Sequence, residues 1–198
     1  PLGVGDHLIQ WGIPASKIQQ LDWWQTVELE GLQFTATPAQ HFSGRSFLAK
    51  NPTLWASWAI YTGTHRIFFS GDTGYFDGFA EIGRRHGPFD LTLLEAGAYD
   101  KQWEGVHMLP EQVMQAHRDL RGDWLLPIHN ATFDLAFHSW DEPMEKMLAL
   151  SSQHGIRLIM PRIGEAVYLG QFRAAQAWWR FKQPRPASMS MTATTHAM

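Results

Sequence analysis

The sequence predicts an α/β fold in which helices cover a mixed β-sheet. Short apolar runs such as residues 91–96 (LTLLEA) and 124–128 (WLLPI) are typical of buried strands. Between them, residues 110–120 place apolar side chains at helical spacing, so strands and helices alternate along this part of the chain. Two further apolar runs flank Gly63-Thr64-His65 and predict a hairpin, which makes the sheet mixed. Such alternation is typical of a sheet with helices packed outside it, in the α/β (or α+β) class.

The predicted elements follow one another without an internal repeat. At the N-terminus we expect a loop at residues 6–12 and a short helix within residues 14–20. Pro110 supports a helix start, because the N–H that proline lacks has no intrahelical partner in a first turn. Strands are predicted at residues 32–39, 57–62, 66–70, 91–96, 124–128, 156–160 and 166–169, and helices at residues 76–86, 110–120 and 142–154. Residues 1–182 are predicted to form one domain, and residues 183–198, rich in Pro, Ser, Thr and Met, a disordered tail.

The composition excludes several classes of protein. Of 198 residues, 44% are hydrophobic and 18% are charged, which excludes a disordered chain because enough apolar surface is available for a core. A net charge of −3 provides no electrostatic footprint for nucleic acid. No apolar run reaches the length of a membrane span and no signal peptide is visible, so we expect a cytoplasmic protein or one peripheral to a membrane. Because the chain has no cysteine, a metal site must be built from His, Asp and Glu.

Metal-competent side chains follow three of the predicted strands. His41 ends the run TATPAQH, Asp72 lies within SGDTG, and His129 ends LLPIH. Loops held by rigid strands can preset the geometry that cation binding needs, and the glycines beside Asp72 allow a sharp turn. A carboxylate can bridge two cations there, and imidazole suits zinc or iron. From these residues alone, a metal site and ordinary structural roles, as hydrogen-bonded histidines and a turn or N-cap aspartate, remain equally open.

The same residues belong to a series of motifs that runs in order through most of the chain. The motifs are residues 21–24 (LDWW), 38–45 (PAQHFSGR), 54–58 (LWASW), 68–75 (FFSGDTGY), 87–91 (GPFDL), 97–99 (GAY), 107–111 (HMLPE) and 128–133 (IHNATF). This series resembles the metallo-β-lactamase superfamily and, more narrowly, its N-acyl-phosphatidylethanolamine-hydrolysing phospholipase D branch with the bacterial relatives of that branch. The resemblance implies an αβ/βα sandwich with mixed sheets and outer helices.

The resemblance further implies a hydrolase with two divalent metal ions, with zinc as the first choice and manganese or iron as alternatives. His41 would complete the first metal site, Asp72 would bridge both metals in catalysis, and His129 would complete the second site. A metal-bridged hydroxide would then attack a phosphodiester in a small-molecule or phospholipid substrate. The alternatives are a lactonase- or lactamase-like hydrolase of the same fold and a non-catalytic binding member.

Three further residues are predicted to bind substrate. The resembling enzymes place a substrate-facing histidine at His107, which would protonate the leaving oxygen or hydrogen-bond the phosphate; a structural role at a helix start is equally open. Tyr75 and Tyr99 follow strands from which they could reach phosphoryl oxygens, although packing is the favoured alternative. Residues 172–181, with two tryptophans and two arginines, predict a terminal helix docked on the domain, or else an interfacial helix in contact with a membrane.

One motif of the family is missing. The His-x-His-x-Asp-His loop, which in the superfamily supplies four metal ligands upstream of the motifs above, does not occur in this sequence. We therefore expect the carboxy-terminal portion of a longer hydrolase, which lacks the N-terminal part of the fold. Such a chain alone is expected to bind metal weakly and to be inactive, because three ligands are too few for two cations.

Overall fold

A single sheet organises the fold. In the computed structural model, which describes residues 1–44, 51–134 and 136–180, seven strands pair in chain order. They are β1 (Thr26–Leu29), β2 (Leu32–Thr37), β3 (Ser57–Tyr61), β4 (Arg66–Phe69), β5 (Phe89–Glu95), β6 (Gly122–Ile128) and β7 (Arg157–Leu158). Pairing is antiparallel from β1 to β4 and parallel from β4 to β7, which confirms the predicted mixed sheet. The predicted tail, residues 183–198, lies outside the described residues.

Helices connect the parallel strands. α1 (Val4–Gln10) precedes the sheet, and α2 (Gly78–His86), α3 (Pro110–Asp119) and α4 (Glu142–His154) each join one parallel strand to the next. α3 begins at Pro110 as predicted, and the Leu109 N–H donates a 2.8 Å hydrogen bond to Gln112 Oε1 at its first turn. This bond satisfies one of the backbone donors that a helix start leaves without partners. Among the described helices, none combines the length and apolarity needed to span a bilayer.

The core lies between the sheet and α2, α3 and α4. Phe68, Phe79 and Phe89 are buried together, with ring centroids 6.2 Å apart for Phe68 and Phe79 and 5.4 Å apart for Phe68 and Phe89. Strand register places Phe68 beside Thr92 and Thr92 beside Leu125, which puts all three on one side of the sheet. Truncating a buried phenylalanine costs about 3–5 kcal/mol, so this cluster fixes β4 and β5 against α2.

Strand β1 is absent from the predicted set. It pairs with β2 so that Leu29 lies opposite Leu32, and Glu30 and Gly31 form a two-residue turn with φ of 52° and 79°. Positive φ at both central residues is typical of the type I′ turn, whose twist suits a hairpin. β1 lies at the sheet edge with mostly exposed side chains, so it lacks the apolar alternation by which a strand is predicted.

Two predictions for the ends of the domain are wrong. Residues 166–169 form no strand: β7 is the last strand in the sheet order, and Tyr168 is 67% exposed, so this short apolar run has no strand to pair with and no core to enter. Residues 6–10 are helical rather than loop, because α1 begins at Val4 and ends at Gln10, and only residues 11 and 12 of the predicted loop lie in a turn. A helix this short has too few turns to show a clear helical period in the sequence.

The predicted terminal helix at residues 172–181 is also shorter than expected. Within its described part, only Trp178–Arg180 is helical, as a single 3₁₀ turn. Trp179 is nevertheless buried in the core, and its Nε1–H donates a 2.7 Å hydrogen bond to Glu145 Oε1 on α4. The segment therefore docks on the domain through this side chain, as the favoured prediction requires, without an α-helix.

Candidate metal centre

Asp72 and His129 meet at one edge of the sheet. Asp72 lies in the loop after β4, and His129 follows β6 directly. Because β4, β5 and β6 run parallel, their carboxyl ends share an edge, and the Nε2 atom of His129 lies 3.4 Å from Oδ1 of Asp72. The fold thus brings together two of the three predicted metal ligands, which are 57 residues apart in the sequence.

Two hydrogen bonds donated by backbone N–H groups connect the Asp72 loop to the loop that carries His41. The Gln40 N–H donates to Thr73 Oγ1 at 2.9 Å, and the Gly74 N–H donates to the Gln40 carbonyl at 2.8 Å. Gly74 has no room for a side chain, since a Cβ there would lie 2.1 Å from the Gly105 carbonyl oxygen. The small residues of this motif therefore allow three loops, those of Gln40, Gly74 and Gly105, to pack against one another.

His129 has a strained backbone. Its φ is 60°, in the left-handed region that costs a non-glycine residue about 1–2 kcal/mol. The loop after β5 holds it there: the Ala96 N–H donates to the Ile128 carbonyl at 3.0 Å, and a Cβ on Gly97 would lie 1.8 Å from the His129 carbonyl oxygen. Such strain is maintained by surrounding structure and is commonly found at functional sites. Here it accompanies the approach of the imidazole to Asp72.

His41 and His107 stand beside this pair. The ring of His107 lies 5.6 Å from that of His41 and 5.4 Å from that of His129, measured between centroids. The ring of His41 stacks on Phe42 at 4.7 Å, and its Nδ1 lies 2.9 Å from the Phe42 carbonyl oxygen. A carbonyl can only accept, so Nδ1 of His41 carries the proton and Nε2 keeps its lone pair for a metal or another donor.

The electrostatics of the cluster favour a charged pair. The hydrogen bond from His129 lowers the pKa of Asp72 against the opposing effect of burial, and the positive potential of His129, His41 and His107 lowers it further. The same hydrogen bond raises the pKa of His129, again against burial. The same carboxylate, with imidazoles in their neutral form, provides oxygen and nitrogen donors of the types that divalent cations bind.

The donors fit part of a metal coordination shell. Imidazole nitrogen and carboxylate oxygen are the ligands that borderline divalent cations prefer. The Nδ1 atom of His129 is buried and, among the described residues, has no hydrogen-bond partner. In the same part of the chain, no three His, Asp or Glu side chains stand close enough together to hold a metal ion on their own. Further ligands are therefore needed to complete a shell around Asp72 and His129.

The two predicted tyrosines have protein partners. The Tyr75 hydroxyl donates to Asp119 Oδ2 at 2.7 Å, and burial together with this carboxylate raises the pKa of Tyr75 to about 12. The Tyr99 hydroxyl donates to Glu142 Oε1 at 3.0 Å, and its ring stacks on His138 at 4.4 Å. These contacts favour packing for Tyr75, whose hydroxyl is committed to the C-terminal end of α3. A substrate-binding role for either tyrosine stays a prediction.

Glu95 is absent from the predicted site. It is the last residue of β5 and is fully buried, and its Oε2 atom lies 3.3 Å from Nδ1 of His107. The Met108 N–H donates to its other carboxylate oxygen. A charged residue at the end of an apolar strand, LTLLE, is the sequence signal for this position, but the same signal is common at strand ends that face solvent.

Comparison with known proteins identifies the family. Residues 1–130 match the model of the beta-lactamase superfamily domain. The chain belongs to the metallo-β-lactamase superfamily. The solved structure of Igni18, a metallo hydrolase from the archaeon Ignicoccus hospitalis, covers 83% of this chain with a TM-score of 0.64 at 23% identity, over 64% of its own length. The predicted superfamily and its α/β fold are thereby confirmed.

Two sequence relatives extend the comparison. An uncharacterised protein of Mycobacterium tuberculosis is 46% identical over 183 residues, which cover 91% of this chain and 49% of the relative. The mitochondrial N-acyl-phosphatidylethanolamine-hydrolysing phospholipase D of Saccharomyces cerevisiae is 34% identical over 176 residues, which cover 83% of this chain and 37% of the yeast protein. This member of the superfamily thus spans about half the length, or less, of these curated relatives.

Proposed function

We propose that the full-length protein is a metal-dependent phosphodiesterase that removes the headgroup of N-acyl phosphatidylethanolamines. The observation that carries this proposal is the approach of His129 Nε2 to within 3.4 Å of Asp72 Oδ1 at the edge where His41 and His107 also lie. Membership of the metallo-β-lactamase superfamily supports metal-dependent hydrolysis, and the activity named for the yeast relative supports a phosphodiester substrate.

His41, Asp72 and His129 are the residues that would hold the metals, with Asp72 shared between them. Two divalent cations, zinc or alternatively manganese or iron, lower the pKa of bound water and neutralise the charge that develops on phosphoryl oxygens. The described residues contain no complete three-ligand cluster. The remaining ligands would therefore come from a part of the full-length protein outside this sequence. Alone, this chain would then bind metal weakly and turn over little substrate.

His107 is proposed to transfer the proton that the leaving headgroup oxygen needs. The oxygen of water forms a bond to phosphorus, the bond from phosphorus to the headgroup oxygen breaks, and that oxygen must gain a proton to leave as an alcohol. The ring of His107 lies 5.6 Å from that of His41 and 5.4 Å from that of His129, and we place it within reach of a phosphate held at this edge. Its exposed side-chain fraction of 14% leaves it open to substrate while it is packed against the protein.

Exposed aromatic side chains near the centre support a lipid substrate. Phe42 follows His41, and Phe133 and Phe137 lie in the loop after His129; these three rings are 56%, 69% and 77% exposed. Single exposed apolar side chains are common, whereas several grouped on one surface indicate a site where a partner or ligand binds. Acyl chains of a phospholipid, whether dispersed or at a membrane surface, would cover these apolar rings on the loops that follow His41 and His129.

The test uses the full-length protein and a matched pair of variants. Elemental analysis and headgroup release from an N-acyl phosphatidylethanolamine are measured for the wild type, Asp72→Asn and Asp77→Asn. We expect about two metals per chain in the wild type, a loss of metal affinity and turnover of about 100-fold or more in Asp72→Asn, and little change in Asp77→Asn, since Asp77 is exposed at the start of α2. Fewer than one metal per chain, or preferential hydrolysis of lactones or β-lactams, would overturn the proposal.

A further inference from the structure

Glu95 is a buried carboxylate that faces the proposed proton carrier. Its side chain is wholly inaccessible to solvent, at 0% exposure. In the part of the chain that the structure describes, its one ion-pair partner is His107, whose Nδ1 lies 3.3 Å from Oε2. Burial of an ionised carboxylate is expensive unless hydrogen bonds replace water, so two such bonds at this position call for an explanation.

The second carboxylate oxygen has a structural task. The Met108 N–H donates to Oε1, which ties the start of the α3 segment to the end of β5. A glutamine could accept that bond equally well without burying a charge. Anchoring Met108 therefore accounts for one oxygen and leaves the contact between Oε2 and His107 unexplained.

We propose that Glu95 is a positioning residue that holds His107 in the tautomer with the proton on Nδ1. This inference rests on the proposed function only for its catalytic consequence. An ionised carboxylate accepts hydrogen bonds and donates none, so a neutral imidazole whose Nδ1 faces Oε2 must carry its proton there. The Nε2 atom then keeps its lone pair, on the side of the ring opposite Glu95.

This tautomer suits the proposed reaction. With Nε2 unprotonated, His107 accepts the proton that water releases as its oxygen bonds to phosphorus, and the same nitrogen then gives that proton to the departing headgroup oxygen. One proton is taken up and one is returned, so the histidine ends as it began. The opposite tautomer would place a hydrogen on Nε2 and block the first of these transfers.

Glu95→Gln distinguishes positioning from anchoring. The glutamine carbonyl oxygen can still accept from the Met108 N–H. The flipped amide is disfavoured, because it would point the glutamine NH₂ group at the Met108 N–H, and both groups are donors. The amide NH₂ then faces Nδ1 of His107 and donates to it, which moves the imidazole proton to Nε2. The variant keeps the loop anchor and inverts the tautomer.

The experiment is ¹⁵N NMR of the histidine rings at about pH 8, where an ordinary imidazole is neutral. Metal-free full-length protein is compared as wild type, Glu95→Gln and Glu28→Gln, the last at an exposed position on β1. We expect the proton of His107 on Nδ1 in the wild type and in Glu28→Gln, and on Nε2 in Glu95→Gln. The buried His117, whose Nδ1 lies 2.8 Å from Thr92 Oγ1, serves as an internal reference that does not change.

Turnover then reports the catalytic consequence. In metal-loaded protein we expect Glu95→Gln to lower kcat about 10- to 100-fold with KM within about 3-fold of the wild type, and Glu28→Gln to leave both unchanged. A wild-type proton on Nε2, or an unchanged tautomer in Glu95→Gln, would overturn the positioning role whether or not the variant is active. An inverted tautomer in a protein that cleaves no phosphodiester would support the positioning role and reject the proposed function instead.

Discussion

The carboxylate of Asp72 and the imidazole of His129 meet at 3.4 Å across the carboxyl ends of β4 and β6, and they form an ion pair when His129 is protonated. The pair is half open to solvent, with 49% of the Asp72 side chain and 27% of the His129 side chain exposed. Exposed ion pairs contribute little to stability, so the pairing itself does not explain why His129 keeps a left-handed backbone. The loop after β5 maintains that backbone through Ala96 and Gly97, and under the proposed function a cation would be a further partner for both side chains.

Gly97→Ala is expected to damage the centre through the backbone of His129. The new Cβ would lie 1.8 Å from the His129 carbonyl oxygen, so the loop after β6 must move. We expect a loss of about 2–4 kcal/mol in the free energy of unfolding and weaker metal binding. Urea unfolding and metal titration measure the two effects.

Gly63→Ala is the control for that substitution. Gly63 has φ of 85° but open space around its Cβ, so only the backbone strain of about 1–2 kcal/mol applies and metal binding stays unchanged. Equal losses of stability and metal affinity in both variants would contradict the proposed contact between Gly97 and His129.

Acid is expected to destabilise the domain through His117. This side chain is 3% exposed, and burial, with smaller contributions from Arg118 and Arg157, lowers its pKa to about 4. Its folded pKa therefore lies below the ordinary value near 6.5, so between about pH 6.5 and 4 the unfolded chain binds a proton that the folded chain refuses. Stability from this residue is complete above pH 6.5 and falls by about 2–3 kcal/mol as the pH reaches 4.

His117→Asn isolates that effect. The asparagine amide replaces Nδ1 beside Thr92 Oγ1, where the native distance is 2.8 Å, and does not titrate. We expect lower stability than the wild type at pH 7.5 but a smaller fall between pH 6.5 and 4, measured by urea unfolding at fixed ionic strength. The same slope in both proteins would assign the acid sensitivity to other groups.

Trp179→Ala is expected to release the C-terminal segment and to lower stability by about 3 kcal/mol or more. Trp179 fills part of the core and donates to Glu145, so its truncation leaves a cavity and removes one hydrogen bond from a carboxylate that Arg180 still binds. Thermal unfolding measures the loss, and limited proteolysis after residue 160 reports the release. Tyr168→Ala, at a 67% exposed position in the same segment, should change stability by less than about 1 kcal/mol.

Phe137→Ser tests the lipid substrate. The ring is 77% exposed and lies 6.2 Å from that of Trp103, so its loss removes apolar surface with little effect on the fold. In the full-length protein we expect KM for a long-chain N-acyl phosphatidylethanolamine to rise about 5- to 30-fold, with kcat almost unchanged. A short, water-soluble phosphodiester should be hydrolysed equally well by both proteins. A rise in KM for that soluble substrate as well would place Phe137 in the phosphate site.

The sequence predicted positions more reliably than orientations. The positions of Asp72 and His129 at strand ends were predictable because each follows a run of apolar residues, and parallel strands bring such ends together; their assignment as metal ligands came from the family resemblance. The left-handed φ of His129 could not be predicted from the sequence, since it depends on the Gly97 loop, which is distant along the chain. The contact between Glu95 and His107 could not be predicted either, because a carboxylate at a strand end faces solvent or protein according to what packs over it. Tertiary contacts of this kind leave no periodic trace in the chain.

The consecutive order of the strands has a consequence for how the molecule forms. Among the described residues, every strand after β1 pairs with the strand before it, although a helix-containing crossover separates each pair of parallel strands and its closure slows their pairing. A chain that emerges from the ribosome can add one strand at a time to an existing edge. Asp72 is then in place before His129, which joins only with β6, so the candidate metal centre is among the last features of the sheet to assemble.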